Sequence, residues 1–135
     1  MSLVLLFMVF CKAQVFCAMS YFTPWIDSLV SQTKGREKYL ASYGWEIDPD
    51  SEEERNVLLP KSFEGAVGEY ADMQTRQGYD FASYAGLECR QYTYTVTNYE
   101  GCGGTVYATL YIKGTRVIGG DIHSADIGGF MHGIR

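Results

Sequence analysis

Residues 88 to 124 constrain the fold most tightly, because three period-two patterns follow one another there with turn residues between them. Tyr92, Tyr94 and Val96 alternate with Gln91, Thr93 and Thr95, the mark of a strand with one buried and one wet face. Residues 105–112 set Val106, Ala108, Leu110 and Ile112 against Thr105, Tyr107, Thr109 and Tyr111. Residues 116–124 set Ile118 and Ile122 against Val117, Asp121 and His123, with Gly119 and Gly120 interrupting the pattern. An antiparallel three-stranded meander follows. Its second hairpin is expected to turn through Lys113, Gly114 and Thr115, with Leu110 opposite Ile118, because that register buries Ile122 rather than an unpaired Asp121.

Such a sheet needs a cover. Phe63, Ala66, Val67, Tyr70 and Met73 recur at three-and-four spacing, which predicts an amphipathic helix over residues 62–77, capped by Ser62 and stopped by Gly78. Its stripe is expected to lie on the face of Tyr92, Tyr94 and Val96. A further helix is predicted over residues 33–43, with Thr33 as cap, Tyr39, Leu40 and Tyr43 inward, and Gly44 as left-handed stop. Residues 56–59, closed by Pro60, read as a short strand buried on both faces. The expected fold is α+β: a four-stranded, mostly antiparallel sheet with one amphipathic helix packed on a face and a second helix beside it. It forms a single domain over residues 33–135 with an acidic loop at 48–54.

With 135 residues and a net charge of −5, the chain has no Lys/Arg cluster dense enough to neutralise a run of phosphates, which excludes nucleic acid as a partner. The acidic run Asp48, Asp50, Glu52, Glu53 and Glu54 lacks the glycine and oxygen spacing of a calcium loop and reads as a solvated segment. Cys11 and Cys17 fall in an apolar run, while Cys89 and Cys102 sit at opposite ends of a strand, further apart than the ~7 Å a disulfide allows. Residues 2–22 are apolar apart from Lys12, Gln14 and a few small polar groups, a length that suits one membrane crossing. Tyr21, Phe22 and Trp25 would sit at the headgroups, but Lys12 near the middle costs about 2.5 to 3.5 kcal/mol. Residues 1–26 are therefore read as a membrane anchor. Two other readings stay open: a cleaved signal with residues 3–10 as its apolar core, and a helix buried in the domain or in a homodimer.

Four phrases carry a family resemblance: Ser42-Tyr43-Gly44-Trp45-Glu46-Ile47, the run from Tyr92 through Thr97 to Asn98-Tyr99, Val117-Ile118-Gly119-Gly120-Asp121, and Phe130-Met131-His132-Gly133. Together they resemble a domain family of unknown function from short proteins of Gram-positive bacteria, usually carried behind one N-terminal membrane segment. The resemblance runs from about Arg36 to Gly133. It implies a topology and a membrane location and transfers no catalytic residue.

The only two histidines, His123 and His132, lie in the final segment beside Asp121, so Asp121, His123 and His132 form a candidate metal site. The structural alternative has Asp121 bonded to backbone amides and His132 packed beside Phe130. Tyr107 and Tyr111 form a candidate binding platform, and Gly119 and Gly120 a candidate notch for a peptide or for the C-terminal tail. No nucleophile motif occurs, no catalytic residue is assigned and no cofactor is expected. These features favour a non-catalytic extracytoplasmic binding or sensory domain for a protein, peptide or envelope ligand. The alternative is a metal-dependent hydrolase using the Asp/His cluster.

Overall fold

The computed structural model describes residues 30–135, and within them the chain is α+β. Helix α1 (Thr33–Ser42) leads into strand β1 (Ile47–Leu58). Helix α2 (Gly65–Arg76) and a 3-10 turn (Phe81–Tyr84) precede β2 (Glu88–Val96), β3 (Val106–Lys113), β4 (Arg116–Ser124) and β5 (Met131–His132). All five strands form one antiparallel sheet in chain order. The fifth strand is the addition to the expected four, and only two of its residues pair. The expected anchor over residues 1–26 lies outside the described residues. Among those described, no helix is long and apolar enough to cross a membrane.

Both helices stop where glycine predicts. Gly44 and Gly78 have φ of +90° and +87°, a region open to glycine at little cost. After α1, Trp45 N–H reaches Leu40 O (3.1 Å) and Gly44 N–H reaches Ala41 O (2.9 Å). After α2, Tyr79 N–H reaches Gln74 O (3.0 Å) and Gly78 N–H reaches Thr75 O (2.9 Å), the same double closure. The starts differ from expectation: Gln32 and Glu64 occupy the cap positions, neither with a side-chain bond, so Thr33 and Ser62 are not caps.

The β3–β4 hairpin buries Ile122 as expected, but not in the expected register. Lys113 pairs with Arg116, which leaves a two-residue Gly114-Thr115 loop rather than three residues. A bulge then intervenes: Ile112 pairs with Val117 and Tyr111 with Gly119, so Ile118 is the extra residue. Leu110 therefore opposes Gly120, and Ala108 opposes Ile122. Ile122 is fully buried beside them, while the bulge turns Ile118 into the cluster on the opposite face.

The two sheet faces are covered differently from the sequence reading. Tyr92, Tyr94 and Val96 pack with Tyr39 and Leu40 of α1, together with Tyr79 and Ile134. Helix α2 docks on the other face, where Ala71 joins Phe81, Cys89 and Ile118, with Phe63, Tyr70 and Tyr111 at the margin. The reason lies in the tyrosine hydroxyls, which need polar partners when buried. Arg36 of α1 supplies one: its Nε donates to Tyr94 Oη at 2.6 Å, and Tyr94 in turn donates to Glu52 at 2.6 Å. The Arg36 guanidinium also stacks 3.7 Å from the Tyr92 ring, pairs with Glu52 at 3.0 Å and donates to Val30 O at 2.9 Å. Burial pushes the Glu52 carboxyl up, but bonds from Tyr94 and Arg36 outweigh it and hold the group below its ordinary value. The stripe of α2 offers no such cation.

Strand β1 also corrects the sequence reading. The acidic run lies inside this strand and not in a loop, and the 56–59 segment is its end rather than a strand buried on both faces. As an edge strand with both faces largely in water, β1 tolerates its charges, and Leu58 is 68% exposed. Cys89 and Cys102 are free.

The last turn of α2 lies against the open edge of β4. Gly120 N–H donates to Gln74 Oε1 (2.8 Å), and Gly120 O accepts from Gln77 Nε2 (3.0 Å). Gln77 Oε1 then accepts from Ile134 N–H at 2.6 Å, so one side-chain amide stands between β4 and the tail where the ladder would otherwise continue.

Candidate functional site

Strand register arranges the α2-bearing face into rows. Thr95, Tyr107, His123 and Met131 form one, Glu53, Thr93, Thr109 and Asp121 the next, and Arg55, Gln91, Tyr111 and Gly119 a third. Phe81 and Tyr70 cover the third row, with ring centroids 5.5 and 6.0 Å from Tyr111. Residues of the first two rows stay open enough to line a hollow. The expected stripe of α2 explains why. Only Ala71 and Gln74 of the helix are buried and Val67 is 42% exposed, so the N-terminal half of α2 stands away from the sheet.

The gap is a groove of about 460 Å³. Val57, Phe63, Val67 and Met131 supply apolar walls, and Tyr70, Asp121 and His123 contribute polar groups to the same groove. Asp121 is 3% exposed. Its Oδ2 accepts from the Tyr70 hydroxyl at 2.5 Å, and its Oδ1 accepts from His123 Nδ1 at 2.7 Å. Burial, reinforced by the adjacent Asp121 charge, pushes the Tyr70 hydroxyl far above its ordinary value, so Tyr70 remains a donor. The hydrogen bond to Asp121 also raises His123 above the usual imidazole value, against a smaller opposing effect of burial. A second, more polar cleft of about 300 Å³ adjoins at His123, lined by Glu53, Arg55, Thr93 and Tyr107 among others. A larger hollow of about 600 Å³ lies on the α1 face, between Ser31 and the β2–β3 end, where Glu88, Lys113 and Arg90, paired with Glu54, gather.

The three residues predicted as a metal set are not brought together. Asp121 and His123 share a face, but His132 pairs opposite Ile122 and so points to the other side. There His132 Nδ1 donates to Gly133 O (2.7 Å) and Nε2 accepts from Tyr99 (2.9 Å), with Phe130 stacked 5.6 Å away. Both ring nitrogens are used. Among the described residues no group of three or more His, Cys, Asp or Glu is placed to hold a metal. Asp121 bonds side chains rather than the backbone amides of the structural alternative.

The predicted binding residues divide similarly. Tyr107 lies beside His123, with ring centroids 5.6 Å apart, whereas Tyr111 lies under Tyr70 and Phe81 and is no open platform. The Gly119 notch is filled by Phe81 and Gln74, which a Cβ would meet at 2.8 and 3.1 Å. The Gly120 notch receives the Ile134 side chain, so the tail enters it, three residues beyond Met131. Tyr70 is the site residue that the sequence reading missed as a polar group. Its place in the helical stripe hid the hydroxyl's role.

Comparison with known proteins adds no identity: no family model, no curated protein and no solved structure matches this chain.

Proposed function

We propose that this chain is a small non-catalytic binding or sensory domain that holds the apolar part of an amphiphilic ligand in the groove beneath α2. The observation that carries this reading is the stand-off of α2, which leaves apolar side chains open around a buried, hydrogen-bonded carboxylate. Ligand sites typically combine such apolar walls with a few placed polar groups. The N-terminal apolar run is of a length that would tether the domain to a membrane, and the reading sets the domain on the outer side.

The test compares the full chain with Val67→Trp, a variant that fills the groove from an exposed position. Saturable binding of an apolar fluorescent probe by the parent, lost in the variant while its melting temperature stays within about 2 °C, supports the reading. Equal binding by both places the probe elsewhere and removes it.

A further inference from the structure

The chemistry of the bound group follows from His123. A carboxylate only accepts, so Asp121 Oδ1 requires the proton on Nδ1 of His123. In the neutral ring the other nitrogen, Nε2, is then a bare acceptor, and it has no hydrogen-bond partner among the described residues. His123 also belongs to both hollows, the apolar groove and the polar cleft, and so stands where a ligand would change character from apolar to polar.

Resting on the binding function above, we propose that the ligand is a neutral amphiphile that presents a hydroxyl group to Nε2 of His123. Its apolar part lies against Phe63, Val67 and Met131, and its polar remainder enters the cleft beside Glu53, Arg55 and Tyr107. With the ring neutral, an anion would face the Nε2 lone pair with the Asp121 charge behind it. An ammonium group would lose water against apolar walls, while both Asp121 oxygens are already engaged by Tyr70 and His123. A hydroxyl donor avoids both penalties.

The probes are 4-propylbenzyl alcohol, its methyl ether and 4-propylbenzoate, titrated into the full chain and followed through the His123 ring in long-range proton–nitrogen spectra. Before any probe is added, at pH above the His123 titration, Nδ1 should carry the proton and Nε2 should not. The alcohol should bind roughly three- to tenfold more tightly than the ether, the ratio one net hydrogen bond supplies. His123→Phe, which keeps a ring of similar bulk, should bring the two to equal affinity. Lowering the pH until Nε2 is protonated should abolish the preference for the alcohol. The charged and titratable groups around this ring are Asp121 on β4, Tyr107 on β3, Tyr70 on α2, and Glu53 and Arg55 on β1.

A ring protonated at Nε2 at rest, equal binding of alcohol and ether, or a preference for the benzoate overturns the proposal, and in the latter two cases the groove still binds. Failure of all three probes overturns the binding function as well. The resting-state spectrum needs no variant, so the proposal stays testable if His123→Phe does not fold.

Discussion

The two faces of the sheet differ in what closes them. On the α1 face, apolar side chains of the larger core interlock around Tyr94, Leu110 and Ile122, polar atoms are paired through Arg36, Tyr94 and Glu52, and a hollow opens beside Arg90, Tyr92 and Ile112. On the α2 face a helix of similar length buries only two of its residues and leaves a groove at its N-terminal half. The sheet is the same, yet the α1 face carries the larger core cluster and the α2 face leaves an apolar groove under its helix. Helix α2 is held from its middle to its C-terminal end, by Tyr70 on Asp121 and by Gln74 and Gln77 at Gly120, and its first turn is left off the sheet.

This contrast can be broken by substitution. Leu110→Ala removes a fully buried side chain from the α1 face and should cost about 2 to 5 kcal/mol, measured by denaturant unfolding. Arg36→Met should cost about 3 kcal/mol in the same measurement, because Glu52 and the Tyr94 hydroxyl lose their charged partner. Gly120→Ala comes next, at about 1 to 3 kcal/mol, since the new Cβ meets Thr109 O at 2.6 Å and must displace Ile134. If Leu110→Ala proves as mild as a surface change, the α1 face is not the stabilising one.

On the α2 face the expected effects are smaller. His123 is held above its ordinary value in the folded state, so its pairing with Asp121 contributes stability fully present below the unfolded value near 6.5 and lost as pH rises through the folded value. Thermal unfolding across that window should show this decline in the parent and not in Asp121→Asn. Val67→Ala should change stability by less than about 0.5 kcal/mol, because the side chain is 42% exposed. A large loss there would mean that α2 closes fully on the sheet and that the groove is not free.

The meander was legible because alternation over seven or eight residues leaves few other folds, and the glycine stops were legible because left-handed backbone is costly for other residues. The side of the sheet that each helix takes was not legible. Periodicity shows that α2 has an apolar stripe, but the choice of face is settled by Arg36 meeting one tyrosine hydroxyl, one tyrosine ring and a carboxylate distant in sequence. Charge density likewise concealed β1, since the run from Asp48 to Glu54 reads as loop until its position at an edge is known. Of the site, Asp121 and His123 stood out as residue types on one strand. The bulge at Ile118 and the two-residue pairing of β5 decided that His132 would not join them.

Gln77 gives the sheet one amide from outside any strand. The C-terminal strand zips for two residues, and at the next rung a helix takes over as the tail's neighbour. Any segment that tried to lengthen that strand would first have to evict the helix end. At that rung the sheet's main-chain bonds end on a single uncharged side chain, already engaged on both sides.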